Sequence, residues 1–214
     1  MQPRFLLVLG AALVVGLAIG ILVARSDSTT SAAPTGPSVP TGPAATWAAG
    51  ARPAPDFSLT DQAGDPVSLA RFRGRPVIVT FIDPLCRNLC PLEARVLARA
   101  EASVPKMARP AIVAVSVNQW GNARGNLVQD VAKWRLGHSW YWAVGRPRAL
   151  AKVWRDYKIG VLDTPKRISG ITVHQISHTE ASYVLDAKGD ERALFLYPFG
   201  AADLARTLRH VAGV

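Results

Sequence analysis

The chain is 214 residues long, with a formal net charge of +10, two cysteines and 49% hydrophobic residues. That length fits one domain with extensions, and charged residues at 19% are too few for a wholly disordered chain. Two cysteines exclude a disulfide-dense scaffold and any four-cysteine zinc or iron–sulfur site within one chain.

The first element is apolar. Residues 5–24 read FLLVLGAALVVGLAIGILVA without a charge, about 30 Å of helix at 1.5 Å per residue. A signal-peptide core usually runs about 7–15 residues and ends in a small-x-small site. This stretch is longer, and Val23 stands between Leu22 and Ala24, so the expected cleavage pattern is missing. No cysteine follows closely enough for lipid attachment. Residues 1–25 are therefore read as a membrane anchor, with a cleaved signal as the alternative. The short N-terminus is expected in the cytoplasm and everything after residue 25 outside it, as a single-pass protein of the cell membrane. The arginine-rich charge makes nucleic acid a first thought. An exported location argues against that partner and favours anionic lipid or an acidic partner face.

Residues 26–50 are rich in Pro, Ser, Gly and Ala, with prolines at 34, 37, 40 and 43. That spacing suits an extended polyproline II linker, and Trp47 is expected to pack on the domain edge. Residues 51–214 then form the folded domain, about 160 residues and enough for one core. Pro76–Ile82 is a short buried strand, followed by a helix over Pro91–Val104 with Leu92, Val96, Leu97 and Ala100 at helical spacing. Ala111–Val117 is a second buried strand, followed by a polar turn and a helix ending near Arg135. Trp140–Val144 is a third strand, and Pro147–Tyr157 a third helix with proline in its first turn. Ser182–Tyr197 reads as two strands joined at Lys188-Gly189, and Ala201–Val211 as the last helix. Helices interleaved with buried strands predict an α/β fold whose mixed sheet is covered on both faces.

Cys86 and Cys90 follow a buried strand and open a helix. Were both in the first helical turns, i and i+4 would share one face about 6 Å apart along the axis. That separation allows either a disulfide or two ligands on one ion. The helix N-terminus lowers a thiol pKa, and Arg87 is expected to push the same way. A structural disulfide is the competing reading for an exported protein. A five-residue loop, though, adds only about 2 kcal/mol in the chain-entropy model.

Three motifs carry a resemblance. The segment from Ala54 to Phe81, APDFSLTDQAGDPVSLARFRGRPVIVTF, resembles the opening of thioredoxin-like redoxins. Cys86-Arg87-Asn88-Leu89-Cys90-Pro91 resembles the Cys-x3-Cys-Pro motif of the Sco (SenC) family of copper-binding cytochrome c oxidase assembly proteins. His178-Thr179-x3-Tyr183 resembles the segment in which that family carries its third metal ligand. The resemblance implies a thioredoxin-like fold with a C-terminal hairpin and helix. It implies copper, as Cu(I) and with a further oxygen ligand Cu(II), held by Cys86, Cys90 and His178. It also implies a copper-containing oxidase subunit as partner. The rival reading of Cys86 and Cys90 is an enzyme, a thiol–disulfide reductase that keeps a partner's copper-site cysteines reduced. Two thiolates and an imidazole suit Cu(I), whereas zinc would want a fourth donor. Because an exported site is oxidising, a membrane-side thiol reductant is a further expected partner. Thioredoxin-type reductases carry two residues between the cysteines, not three. Peroxiredoxins place a threonine where Asp83 stands.

The family pattern is broken at Arg87, where proline is usual, at the approach FIDPLC, and at Asn118-Gln119, where aspartate-proline commonly ends a strand. His174, four residues before His178, is a secondary ligand candidate, in a segment that Ile171, Val173 and Ile176 mark as strand or loop. His138 and His210 are expected at the surface. Trp120, Trp134, Trp140, Trp142 and Trp154 are assigned to core and edge packing, not to stacking on nucleic-acid bases.

Overall fold

In a computed structural model, which describes residues 39–214, the chain is organised around strand β4, Val77–Ile82. All six of its residues are buried, as a strand covered on both faces requires. Its pleat sends Val77, Val79 and Phe81 to one core cluster and Ile78 and Ile82 to the other.

Three short strands lead up to it: β1 (Ala45–Thr46), β2 (Leu59–Thr60) and β3 (Pro66–Val67). After β4 come helix α1 (Leu89–Ala102), β5 (Ala111–Ser116), α2 (Arg124–Lys133), β6 (Trp140–Ala143) and α3 (Pro147–Asp156). Four strands follow, β7 (Val161–Ile168), β8 (Ile171–His178), β9 (Ala181–Leu185) and β10 (Glu191–Leu196), and α4 (Ala201–Ala212) closes the chain.

The central sheet has the order β1-β10-β9-β4-β5-β6. β4, β5 and β6 run parallel, while β9, β10 and β1 are antiparallel additions. Helices α1, α2 and α4 cover one face through Leu97, Leu127 and Leu208. The other face is covered by α3, through Leu150 and Val153, and by Phe57, Leu69 and Phe72 from the segment before β4. Burying each such side chain contributes roughly 1.5–3 kcal/mol. Trp140 and Trp142 share the α1 face of β6, and their rings pack edge to face at 5.8 Å, with Trp134 5.9 Å from Trp142. Trp134, Trp140 and Trp142 are core, as the sequence suggests, whereas Trp120 is exposed.

The mixed α/β sheet flanked by helices and the closing hairpin with its helix agree with the sequence reading. The hairpin turns at Gly189, whose φ of 82° suits glycine, and Asp186 Oδ1 accepts from Lys188 and Asp190 amides at 2.9 and 3.1 Å.

Three features differ from expectation. Ala45–Thr46, within the proline-rich segment, already pairs with β10, and Trp47 N–H donates to the Arg192 carbonyl at 3.0 Å. Helix α1 starts at Leu89, not Pro91; Pro91 is still in the first turn, where a missing N–H costs nothing. The third is a two-stranded ribbon, β7–β8, turning at Ser169 and Gly170 with φ of 48° and 83°.

The free edge of β6 is covered without a full strand. Gln62 accepts from Trp142 N–H at 2.9 Å and donates to the Trp140 carbonyl at 3.4 Å, and Thr60 exchanges two 2.9 Å backbone bonds with Val144. Among the described residues no helix is long and apolar enough to cross a membrane. The segment read as an anchor, residues 5–24, lies outside them.

Candidate metal centre

The turn after β4 sets the first half of the site. Asp83 Oδ1 accepts the Leu85 N–H at 2.7 Å, and the Asp83 carbonyl accepts the Cys86 N–H at 3.1 Å. Cys86 is thereby held just outside the helix, and Asn88 is its N-cap. This corrects the placement of both thiols in the first helical turns. Cys86 faces the helix end from outside, and the Cys90 N–H donates to its sulfur at 3.3 Å. Gly121, after β5, permits this turn to sit close, since a Cβ there would stand 2.9 Å from Leu85 Cγ and 3.0 Å from Pro84 Cβ.

The two thiols differ sharply. The Cys90 thiol donates toward the Cys86 sulfur, and the amides of Cys90, Asn88 and Leu89 add to it. Together they hold the Cys86 thiol at about 5, as expected for a thiolate at the positive end of a helix. Cys90 is 1% exposed; its bond to Cys86 and its burial push its thiol far above the ordinary range. The pair therefore holds one proton between two sulfurs. Neither cysteine is in a disulfide. Asn88 Oδ1 lies 3.0 Å from the Cys86 sulfur, an acceptor when that thiol is protonated.

Arg87 does not contribute as the sequence suggested. Its guanidinium turns away, donating to the Pro84 carbonyl at 2.9 Å and the Cys86 carbonyl at 3.2 Å and reaching Asp130 on α2 at 3.5 Å. It fastens the cysteine turn from behind. Asn118 is likewise structural: its Oδ1 accepts the Trp120 amide at 3.1 Å.

Sheet order supplies the other half. β9 pairs antiparallel with β4, Ser182 opposite Thr80, so residues just before β9 lie beside those just after β4. His178 ends β8 there. Its Nδ1 is 3.1 Å from the Thr179 carbonyl; a carbonyl only accepts, so the neutral ring is held as the tautomer with its proton on Nδ1, which presents the Nε2 lone pair to a metal. Thr179 in turn ties off the β7–β8 ribbon, its amide donating to the Gly160 carbonyl at 3.0 Å and its hydroxyl accepting the Gly160 N–H at 3.2 Å.

Donor atoms of Cys90, His178 and Glu180 all lie within 4.8 Å of one another. Cys86 stands outside that group but beside Cys90, and all four line one cavity of about 560 Å³. Two thiols, an imidazole with a free Nε2 and a carboxylate fit a thiophilic or borderline transition metal. Glu180 was not singled out in the sequence, although it follows His178 by two residues and shares the pleat face of Ser182.

His174 is not part of this group. Four residues along a strand span about 13 Å, and His174 instead contacts Asp163 at 2.8 Å and stacks on Trp120 at 4.1 Å. Tyr183 is a core residue, donating to the Tyr157 carbonyl at 2.6 Å. His138 and His210 are exposed.

Beneath the site lies Glu93, which the sequence reading passed over although it interrupts the buried face of α1. It is fully buried, with the Thr80 and Ser182 hydroxyls each 3.1 Å from Oε1, and Oε2 without a partner. Desolvation raises its pKa to about 7 against these hydroxyl contacts, with Glu180 and Cys86 adding to the rise.

The SCO1/SenC family model matches residues 47–213. The chain belongs to the SCO1/SenC family. Solved structures of similar fold include Bradyrhizobium japonicum ScoI with copper bound, at 19% identity and TM-score 0.64, covering 74% of this chain and 98% of that one. Yeast Sco1 with copper bound matches at 14% identity and TM-score 0.65, over 76% and 90% of the two chains. A SCO1/SenC family lipoprotein from Bacillus anthracis matches at 19% identity and TM-score 0.60, over 75% and 95%. No curated protein matches by sequence. At these identities the structures establish the thioredoxin-like Sco fold. The cysteine turn and His178 occupy the segments whose motifs carried the resemblance.

Proposed function

We propose that this chain is a membrane-tethered, extracytoplasmic copper-binding protein that helps assemble the copper centre of a terminal oxidase. Cys86, Cys90 and His178 hold the copper, and an oxidase subunit receives it. The observation that carries this reading is the convergence of Cys90 and His178 on one cavity, with Cys86 poised as a thiolate beside them. Family membership and the copper-bound structures of similar fold support the choice of metal. The uncharged segment 5–24 and the lipoprotein relative support the tether.

Copper, when bound, supplies the cargo and, through its charge, a reason for both sulfurs to be thiolates. The chain's own residues do the rest. The helix N-terminus stabilises the Cys86 thiolate, Thr179 fixes the His178 tautomer, and Arg87 with Asp130 anchors the turn.

The inequality of the two thiols also favours a second reading, a thiol–disulfide reductase. Here the Cys86 thiolate attacks a partner disulfide and releases one partner thiolate. Cys90, losing its proton, then attacks the Cys86 sulfur and releases the second partner thiol. The product is a Cys86–Cys90 disulfide, which a membrane-side thiol reductant must reopen. His178 separates the readings. In the reduced full-length protein under anaerobic conditions, the copper reading expects one Cu(I) per chain. His178→Ala then weakens binding by at least tenfold, because a ligand is lost. A variant that binds Cu(I) as tightly as the parent while both reduce a test disulfide equally would leave the reductase.

A further inference from the structure

The copper reading uses three donors, yet a fourth faces the same cavity. Glu180 is half-buried, and its carboxylate is within 4.8 Å of the Cys90 and His178 donors. Its backbone is fixed at the mouth of β9, where the Glu180 carbonyl accepts the Tyr197 amide at 3.0 Å. The strand pleat then puts its side chain on the α1 face, as Ser182 shows by reaching Glu93. Among the described residues its carboxylate makes no hydrogen bond and no ion pair. Burial raises its pKa, and His178 is the one group acting to lower it. A carboxylate held half-buried among two thiols, without a cation of its own, is placed as a ligand is placed.

Resting on the Cys86, Cys90 and His178 reading, we propose that Glu180 is a fourth donor that closes the site around a divalent ion. Donors of a tetrahedral ion with bonds of 2.0–2.3 Å stand roughly 3.5 Å apart, so a small side-chain rotation suffices. Softness and charge both select the ion's valence. Cu(I) is satisfied by two thiolates and an imidazole and gains little from a hard oxygen, whereas Cu(II) and Zn(II) take carboxylate readily. With two thiolates and Glu180, a divalent ion leaves a net charge of −1 and a monovalent ion −2, in a cavity that Asp83 also lines and Glu93 underlies. Like charge so close is unfavourable. Glu180 therefore biases the site toward the divalent ion, and Cys2His becomes Cys2HisGlu.

The test uses the reduced full-length protein and Glu180→Gln, which keeps shape and removes the anionic donor. Zn(II), which does not oxidise thiols, and Cu(I) are titrated anaerobically against competing chelators. The Cu(II) EPR spectrum, which reports the donor set, is recorded for both proteins. Glu180→Gln is expected to weaken Zn(II) at least tenfold, to leave Cu(I) within about threefold, and to change the EPR spectrum. A tenfold loss for Cu(II) alone would raise the Cu(II)/Cu(I) potential by about 59 mV. Unchanged Zn(II) affinity overturns the proposal, and so does a parallel loss for Zn(II) and Cu(I), which would make Glu180 a structural residue. His178→Ala is expected to weaken both ions. If the parent fails to bind Cu(I), the copper reading falls, while the Zn(II) comparison still reports on Glu180.

Discussion

Glu93 is the residue on which acid–base behaviour of the apo fold turns. Its folded-state pKa, about 7, lies above the ordinary 4.5 because burial disfavours the charged form. A raised carboxyl pKa means that the folded state binds the proton more tightly than the unfolded chain does. The associated stability is fully present below about 4.5 and is lost as pH rises through about 7. The difference corresponds to roughly 3 kcal/mol. Cys86 acts in the opposite direction, since its depressed pKa adds stability as pH rises above about 5. The comparison with Glu93→Gln therefore isolates the carboxyl, because the amide keeps the Thr80 and Ser182 contacts and does not titrate. Denaturant unfolding of the reduced, metal-free protein between pH 5 and 8 is expected to show the parent losing stability relative to the variant. Parallel pH profiles would mean Glu93 does not titrate in this range.

At the scale of elements, local chemistry was readable and packing was not. Buried strands such as Ala111–Ser116 announce themselves by unbroken β-branched and aliphatic runs, and Pro147 marks the start of α3. The β7–β8 ribbon gave no such signal. Val161 and Ile176 at its base pack on the core, but its outer part imposes no alternation, and Leu162, Ile168, Ile171 and Val173 are exposed among polar neighbours. Its turn takes two positive φ angles at Ser169 and Gly170, and only the glycine is a residue type that favours one. The ribbon is braced by the Trp120–His174 stack and the His174–Asp163 contact; stacking of this kind contributes about 0.5–1.5 kcal/mol. Trp120→Ala is expected to speed proteolysis within residues 161–178 several-fold while leaving Cu(I) stoichiometry at one. His174→Ala should behave alike, because His174 braces the ribbon and ligates nothing. Loss of Cu(I) binding in His174→Ala would show instead that the ribbon's position governs His178.

For the whole molecule, the site is a product of strand order. Its cysteine half is local, one turn between β4 and α1, and the sequence displayed it openly. Its other half arrives from 88 residues away (178 − 90) because β9 runs antiparallel beside β4. Periodicity cannot reveal which strands are neighbours. His178 was therefore legible only through family resemblance, and Glu180, which no motif marks, was not legible at all. The tether shows the same limit: composition calls residues 26–50 a linker, but Ala45–Thr46 follow the partner strand, not their neighbours.

A single side chain stands in for a strand at the far margin of the sheet. Gln62 offers one acceptor and one donor to Trp142 and Trp140, the pattern that an additional strand would offer. An uncovered sheet margin is where unfolded or partly folded chains pair and aggregate. Gln62→Val keeps a side chain of useful bulk but returns both groups to solvent. Hydrogen exchange at the Trp142 amide is expected to accelerate at least tenfold, and the onset of aggregation on heating to fall. Unaltered exchange would mean that Trp142 is protected by the fold around it and that the amide of Gln62 is incidental.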